Sequence, residues 1–130
     1  MKITKSIEDY LEAIYVLSLK NKPVRIKDIA TFLSVKLPSV TEAIDRLVKD
    51  GYAVHAPYED VTLTKKGEYV GKNTWEKHQI LFKFLKDILK VPQDKAFREA
   101  CLVEHCISDE TKDKLKKFMK SFQNNLGRIR

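Results

Sequence analysis

The sequence predicts a mainly α-helical protein, an N-terminal winged helix-turn-helix followed by a C-terminal helical domain. Three observations carry that expectation. Only four glycines and four prolines punctuate 130 residues. Apolar residues recur at the 3.6-residue period of a helix along most of the chain. One stretch, YAVHAPYEDVTLT at 52–64, alternates instead, as a hairpin does. At this length the chain makes one compact domain or two small ones sharing a core.

The elements follow in order. Ile7, Leu11, Ile14, Tyr15 and Val16 or Leu17 form a helical stripe from about Thr4 to Lys20, which NKP at 21–23 breaks. Ile26, Ile29, Ala30 and Leu33 mark a second, short helix. SVKLPS is then a tight connection, with Pro38 suited to a first helical turn. Val40, Ala43, Ile44, Leu47 and Val48 follow at helical spacing, and Gly51 stands where a C-terminal cap belongs. The alternation Tyr52/Val54 and Val61/Leu63 predicts two short strands around a loop at Ala56–Asp60. Thr64 is placed to cap a long helix running to about Leu89, ended by VP at 91–92. Two more helices are expected at about 94–107 and 109–125, with Ser108 as the cap between them.

Three helices and then a hairpin is the winged helix-turn-helix order. Lys36, Pro38, Ser39 and Thr41 fall at the N-terminal end of its third helix, the end that approaches phosphates and base edges. The charge agrees with a polyanionic partner. The chain carries +7 with an isoelectric point near 9.4, and such an excess favours nucleic acid. Its distribution tempers the inference. Residues 1–67 hold 11 basic and 9 acidic side chains, whereas residues 68–130 hold 14 and 9, many of them in KDKLKKFMK.

Several function classes recede. No apolar run approaches the ~20 residues that span a bilayer, and MKITKSIEDY has no apolar core of a secretory signal, so the expectation is a cytoplasmic protein without a membrane partner. Cys101 and Cys106 are then expected as thiols; on a helix they point about 140° apart. No HExxH, phosphate-cradling glycine loop or separate catalytic base is present, which leaves a metalloenzyme without its machinery.

One stretch stands out chemically. EACLVEHCIS at 99–108 puts Cys101, Glu104 and His105 at i, i+3 and i+4, one face of a helix. By the helical wheel Phe97, Ala100, Cys101, Val103 and Ile107 form that helix's apolar sector, and Glu104 points into it. A carboxylate is seldom buried alone, because desolvation costs several kcal/mol. Arg98 and Lys95 face away, so either a hydrogen-bonded core or a bound cation has to meet the need. His78 falls in the middle of the apolar face of the long helix, where a lone histidine is more often a satisfied core residue. Asp9 and Glu12, at i and i+3 on the first helix, face away from its apolar stripe and read as solvated carboxylates, with Asp9 placed to cap with Ser6. Oxygen and imidazole donors suit Mn²⁺ and Fe²⁺, and a thiolate pulls toward Fe²⁺, Co²⁺ or Zn²⁺.

Taken together, SIEDYLEAIYVL, KLPSVTEAIDRLVKDGY, LTKKGEYVG, Lys77-His78 and EACLVEHCISDE resemble the diphtheria-toxin-repressor/manganese-transport-regulator family of metal-dependent repressors, in order and from about residue 4 to residue 120. The resemblance implies a homodimer. Each subunit would have a winged helix-turn-helix DNA-binding domain, residues 1–70, and a helical dimerisation and metal-binding domain, residues 71–130. By position it implies Asp9, Glu12, His78, Cys101, Glu104 and His105 as metal ligands. Asp9 and Glu12 follow the manganese-type pattern, whereas Cys101 stands where iron-type members have Cys and manganese-type members Glu. Phe82 and Phe97 replace the polar residues of the iron branch's second site, and a paired-metal site sharing Glu104 is allowed.

The expected corepressor is Fe²⁺ or Mn²⁺, with Co²⁺ or Zn²⁺ as substitutes in vitro, and no small organic ligand. The expected partner is a double-stranded DNA operator controlling metal-uptake genes. It would be met by Arg25, Lys27, Lys36, Pro38, Ser39, Thr41, Glu42 and Lys65, with Lys66 a further phosphate candidate. Relatives often carry Gln or Lys at position 42; a glutamate there accepts from cytosine N4. The wing APYEDV carries Glu59 and Asp60 and no Lys or Arg. The rival is a metal-independent or thiol-redox-responsive winged-helix regulator, which needs exposed, activated thiols.

Overall fold

A computed structural model describes residues 3–20 and 22–129, with side chains through residue 124. The order is α1 (Lys5–Ser18), α2 (Ile26–Leu33), α3 (Leu37–Lys49), β1 (Ala53–Val54), β2 (Thr62–Leu63), α4 (Lys65–Lys83), a π-helical turn (Phe84–Ile88), α5 (Gln93–Val103) and α6 (Asp109–Ile129). The chain forms two compact units, Met1–Trp75 and Glu76–Arg130. Among the described residues no helix is long and apolar enough to cross a membrane.

In the first unit, Ile7, Leu11 and Ile14 of α1, Ile29 of α2, Val40, Ile44 and Leu47 of α3 and Tyr52 and Val61 of the hairpin share one core. Each helix ends for a local reason. Thr4 is the N-cap of α1, its Oγ1 accepting from the Ile7 amide at 3.3 Å. The expected Ser6–Asp9 capping pair is not formed: Ser6 already lies inside the helix, and the Asp9 carboxylate accepts from Lys5 Nζ at 3.0 Å. Of the break at 21–23, Asn21 lies outside the described residues. At the end of α2, Ser34 adopts φ +56°, and Val35 N–H donates to Ala30 O at 3.0 Å. At the end of α3, Gly51 has φ +83°, with Tyr52 N–H donating to Leu47 O at 2.9 Å and Gly51 N–H to Val48 O at 3.1 Å. This is the 6→1 and 5→2 pairing of a Schellman end, and it turns the chain straight into β1.

The strands pair antiparallel with Ala53 opposite Leu63 and Val54 opposite Thr62. The side-chain alternation differs from the expectation. Tyr52 and Ala53 are both buried and Val54 is 57% exposed, because the extended stretch is only two residues long and the helix cap orients Tyr52. Thr64 caps α4 as expected, its hydroxyl accepting from the Gly67 amide at 3.2 Å, and it also closes the hairpin by donating to Gly51 O at 2.7 Å.

In the second unit, α4 carries a buried line through Lys77, His78 and Leu81. The helix does not run to Leu89 as an α-helix. From Phe84 it widens to a π turn, closed by Leu89 N–H to Phe84 O at 3.2 Å, and Leu89 is 55% exposed. Nor does α5 run to residue 107. It stops at Val103, where Cys106 N–H donates to Val103 O at 2.8 Å and tightens the chain. Ser108 then caps α6, its Oγ accepting from the Thr111 amide at 3.1 Å. The buried line of α5 is Ala96, Ala100 and Glu104, while Phe97 and Val103 are exposed. Lys77 reaches Asp109 in the first turn of α6 at 3.1 Å, and Glu76 receives Lys112 and Lys116, each at 3.6 Å.

Gly71 fixes how α1 packs on α4 inside the first unit, since a Cβ there would lie 2.5 Å from Leu11 O. Gly71→Ala is expected to lower stability by about 1–3 kcal/mol, the usual cost of overpacking, read as a fall in Tm beside the exposed control Lys72→Ala. An unchanged Tm would contradict this packing.

Candidate functional site

The residues expected to meet DNA lie on the first unit. Val40, Ile44 and Leu47 turn inward from α3, which leaves Pro38, Ser39, Thr41 and Glu42 on its exposed side. Lys36 is the N-cap, exposed, in extended backbone. Ser39 and Glu42 border a shallow cleft shared with Ser6, Tyr10 and Arg46. Thr41 Oγ1 donates back to Leu37 O at 3.1 Å, which leaves its lone pairs and methyl outward. Arg25 begins α2, its amide donating to Asp28 Oδ2 at 3.0 Å, and its side chain and that of Lys27 are exposed. Lys65 is exposed at the start of α4. Lys66 is committed elsewhere: its Nζ donates to Asp50 O at 3.3 Å and stands 4.3 Å from the centre of the Tyr52 ring, so it is a fastener of the hairpin rather than a ready phosphate contact. The wing tip holds Tyr58, at φ +63° and fully exposed, which sequence reasoning passed over; a positive φ at a non-glycine residue has no periodic signature.

The second unit gathers the other polar set. Glu104 is 2% exposed and His78 4%. His78 Nδ1 lies 3.2 Å from Glu104 Oε2 and 3.7 Å from Cys101 Sγ, and His105 Nε2 lies 3.3 Å from Glu104 Oε1. Four of the expected ligands thus gather in one cluster: His78 and His105 meet the Glu104 carboxylate, and Cys101 meets His78. They do so differently from the sequence reading. Glu104 is the C-cap of α5, still in helical backbone, and His105 sits in the turn beyond it. The helix end, not a continuous helical face, brings His105 round.

Two rings wall the cluster. Phe82, one turn beyond His78, lies parallel to the imidazole at 6.3 Å, and Phe97 meets it edge-on at 4.8 Å. The sequence marked both only as replacements for the polar residues of a second metal site; their packing on His78 was not expected, and the i, i+4 pairing of His78 with Phe82 was the available signal. Cys106, expected among apolar neighbours, is exposed, whereas Cys101 is partly buried against His78.

The arrangement fits a divalent ion chemically. It offers imidazole nitrogen, carboxylate oxygen and thiol sulfur in a nearly dry setting, the donors that first-row metals take. The N···O separations of 3.2 and 3.3 Å match the edge, roughly 3.0–3.4 Å, of a coordination shell with bonds of ~2.1 Å. Asp9 and Glu12 lie on α1 in the first unit. Both are partly buried rather than solvated, and Asp9 is paired with Lys5.

Comparison with known proteins places these features. Residues 2–61 match the iron dependent repressor N-terminal DNA binding domain, and residues 64–126 match the iron dependent repressor metal binding and dimerisation domain. An uncharacterized HTH-type transcriptional regulator from Methanocaldococcus jannaschii is 37% identical over 125 residues, covering 95% of this chain and all of the relative. The HTH-type transcriptional regulator MntR of Bacillus subtilis is 34% identical, over 96% of this chain and 87% of its own. Among solved structures, the manganese regulator SloR superposes with a TM-score of 0.76 at 32% identity, and T. acidophilum IdeR with 0.76 at 25%. This chain is covered to 92% in both and spans about half of each, 55%.

The position of Cys101 yields a spectroscopic prediction. Anaerobic titration with Co²⁺ should give thiolate-to-metal charge-transfer absorption in the near ultraviolet in the wild type and in Cys106→Ser, and none in Cys101→Ser. Absorption that survives in Cys101→Ser would remove sulfur from the ligand set.

Proposed function

This chain belongs to the iron-dependent repressor family, that of the diphtheria-toxin-repressor and manganese-transport-regulator proteins, and from that premise we propose how its own residues do the family's work. It is a metal-dependent, DNA-binding transcriptional regulator with a metal-binding and dimerisation domain. The finer assignment is ours. Residues 1–70 bind the operator, residues 71–130 dimerise and carry the metal donors, and Asp9, Glu12, His78, Cys101, Glu104 and His105 are the ligands of Fe²⁺ or Mn²⁺. The single observation that carries this reading is the buried Glu104 carboxylate with two imidazoles drawn to it and the Cys101 thiol against one of them.

The mechanism rests on linkage. When bound, the metal would supply the positive charge that the buried Glu104 carboxylate requires, with Asp9 and Glu12 of α1 as ligands beside those of α4 and α5. His78 and Glu104 hold each other's orientation, and Phe82 and Phe97 keep water from His78. As metal ligands, Asp9 and Glu12 would link the reading head to metal occupancy. In a homodimer this fixes the separation of two α3 helices, which must meet half-sites about one DNA turn, ~34 Å, apart. Heads that sample many orientations bind DNA only in the competent fraction. A ligand that prefers the competent arrangement raises DNA affinity by its differential affinity, typically ~1–3 kcal/mol; a near-complete switch needs ~5.5 kcal/mol.

Around the reading helix, Arg25, Lys27, Lys36 and Lys65 neutralise phosphates, while Pro38, Ser39, Thr41 and Glu42 face base edges. The regulated genes are those of metal uptake, and the protein works in the cytoplasm as a homodimer on double-stranded DNA, without catalysis. Cys101 favours Fe²⁺, and Asp9 with Glu12 favours Mn²⁺.

The test is binding to an operator recovered from a random duplex pool, measured anaerobically with Mn²⁺, with Fe²⁺ and with chelator. Either ion should tighten binding at least ~5-fold, the lower end of ordinary allosteric coupling, and Glu104→Ala should abolish the gain. Equal affinity with and without metal would overturn the reading.

A further inference from the structure

The surface of α3 holds an anomaly for a helix meant to enter a polyanionic groove. Its inward stripe is Val40, Ile44 and Leu47. By the 100° step, the direction opposite that stripe is occupied by Pro38, Glu42, Asp45 and Lys49. Glu42 stands one turn in from Pro38, on the outermost line and exposed. It is also uncommitted: Arg46 lies four residues on, the ordinary partner distance, yet among the described residues Glu42 makes no ion pair with it or with any other group. An exposed, unpaired carboxylate at this point is repelled by every phosphate it approaches. It becomes favourable only where it meets a hydrogen-bond donor on a base edge.

We propose that Glu42 is a specificity-determining residue that selects a cytosine in each half of the operator. This rests on the reading of α3 as the DNA-binding helix and deepens it. An ionised carboxylate only accepts hydrogen bonds. The major groove presents two donors, cytosine N4 and adenine N6. Adenine places its N7 acceptor beside N6, a donor–acceptor pair that suits the amide of Asn or Gln and opposes a carboxylate. Cytosine N4 has no such acceptor on its own base. Guanine and thymine offer Glu42 only acceptors or a methyl group in this groove. The same charge that weakens binding everywhere else therefore turns into discrimination at one base pair. The exposed cations of the same unit, Arg25, Lys27 and Lys36, would offset the general repulsion at phosphates without reading sequence.

The geometry also separates this role from a merely structural one. Glu42 is exposed and makes no hydrogen bond or ion pair among the described residues; the buried group in its cleft, Tyr10, belongs to the core without it. Replacing it should leave Tm and metal-binding isotherms unmoved, while its effect appears in base preference.

The experiment is selection from a random duplex pool with the full-length, Mn²⁺-loaded protein, comparing wild type, Glu42→Gln and Glu42→Ala. The wild type should enrich a dyad-symmetric motif with cytosine at one position of each half-site. Exchanging that C·G pair for T·A should weaken wild-type binding roughly tenfold, within the range of a good base contact. Glu42→Gln should move the preference at that position to adenine, and Glu42→Ala should flatten it while raising affinity for DNA of random sequence. An identical base profile in all three proteins would overturn the proposal and leave the DNA-binding reading standing. Enrichment of no sequence by the wild type, with chelator-independent weak binding, would instead remove the DNA-binding reading itself and this inference with it.

Discussion

The burial of the Glu104 carboxylate is the constraint around which the second unit is arranged. At 2% exposure a carboxylate loses most of its hydration, a cost of several kcal/mol that only charge or strong hydrogen bonds offset. Each neighbouring choice serves that end. Ala96 and Ala100, fully buried on the same line of α5, leave space for the carboxylate to sit inside. The stop of α5 at Val103 lets His105 fold back on Oε1, while α4 delivers His78 to Oε2. Cys101 joins from the preceding turn of the same helix. Two phenylalanine rings complete a wall on the imidazole. Such a group is a poor way to gain stability, since removing buried charges for apolar residues is often neutral or favourable. A protein keeps it when the charge is used.

The first unit meets a different demand. It has to present one helix rigidly while leaving that helix's outer side uncommitted. The Schellman end at Gly51, the Thr64 hydroxyl bridging Gly51 O and the Gly67 amide, and the Lys66 ammonium over Tyr52 lock α3, the hairpin and the start of α4 together. None of these contacts uses a side chain from the exposed stripe of α3. The positions that carry stability and the positions that face outward are therefore separate, which is what allows the outer ones to be chosen for recognition.

Much of this was legible in the chain because it depends on local rules. The 3.6-residue spacing placed α1, α2 and α3 within a residue or two, Gly51 and Thr64 marked the caps, and Pro38 marked the first turn of α3. Glu104 announced itself as a charge within an apolar pattern. What escaped was decided by backbone geometry or by tertiary packing. The apolar period of 97–107 runs on past Val103, although the backbone tightens there, so the end of α5 and the turn holding His105 were not visible. The π turn at Phe84–Ile88 leaves the same apolar spacing as an α-helix. Ser34 and Tyr58 take positive φ without being glycine. Lys77 and Lys112 are buried through ion pairs with Asp109 and Glu76 that no periodicity encodes.

The central claim is that one set of buried donors and one exposed helix share a single equilibrium. Coupling of that kind is reciprocal: whatever factor the metal adds to DNA affinity, DNA must add to metal affinity. The direct measurement is anaerobic calorimetric titration of Mn²⁺ into the protein alone and into its operator complex. Tighter Mn²⁺ binding in the complex, by the same factor by which Mn²⁺ tightens DNA binding, is the predicted result. Identical isotherms in the two titrations would show that the donor cluster and the reading helix act independently, and would contradict the account.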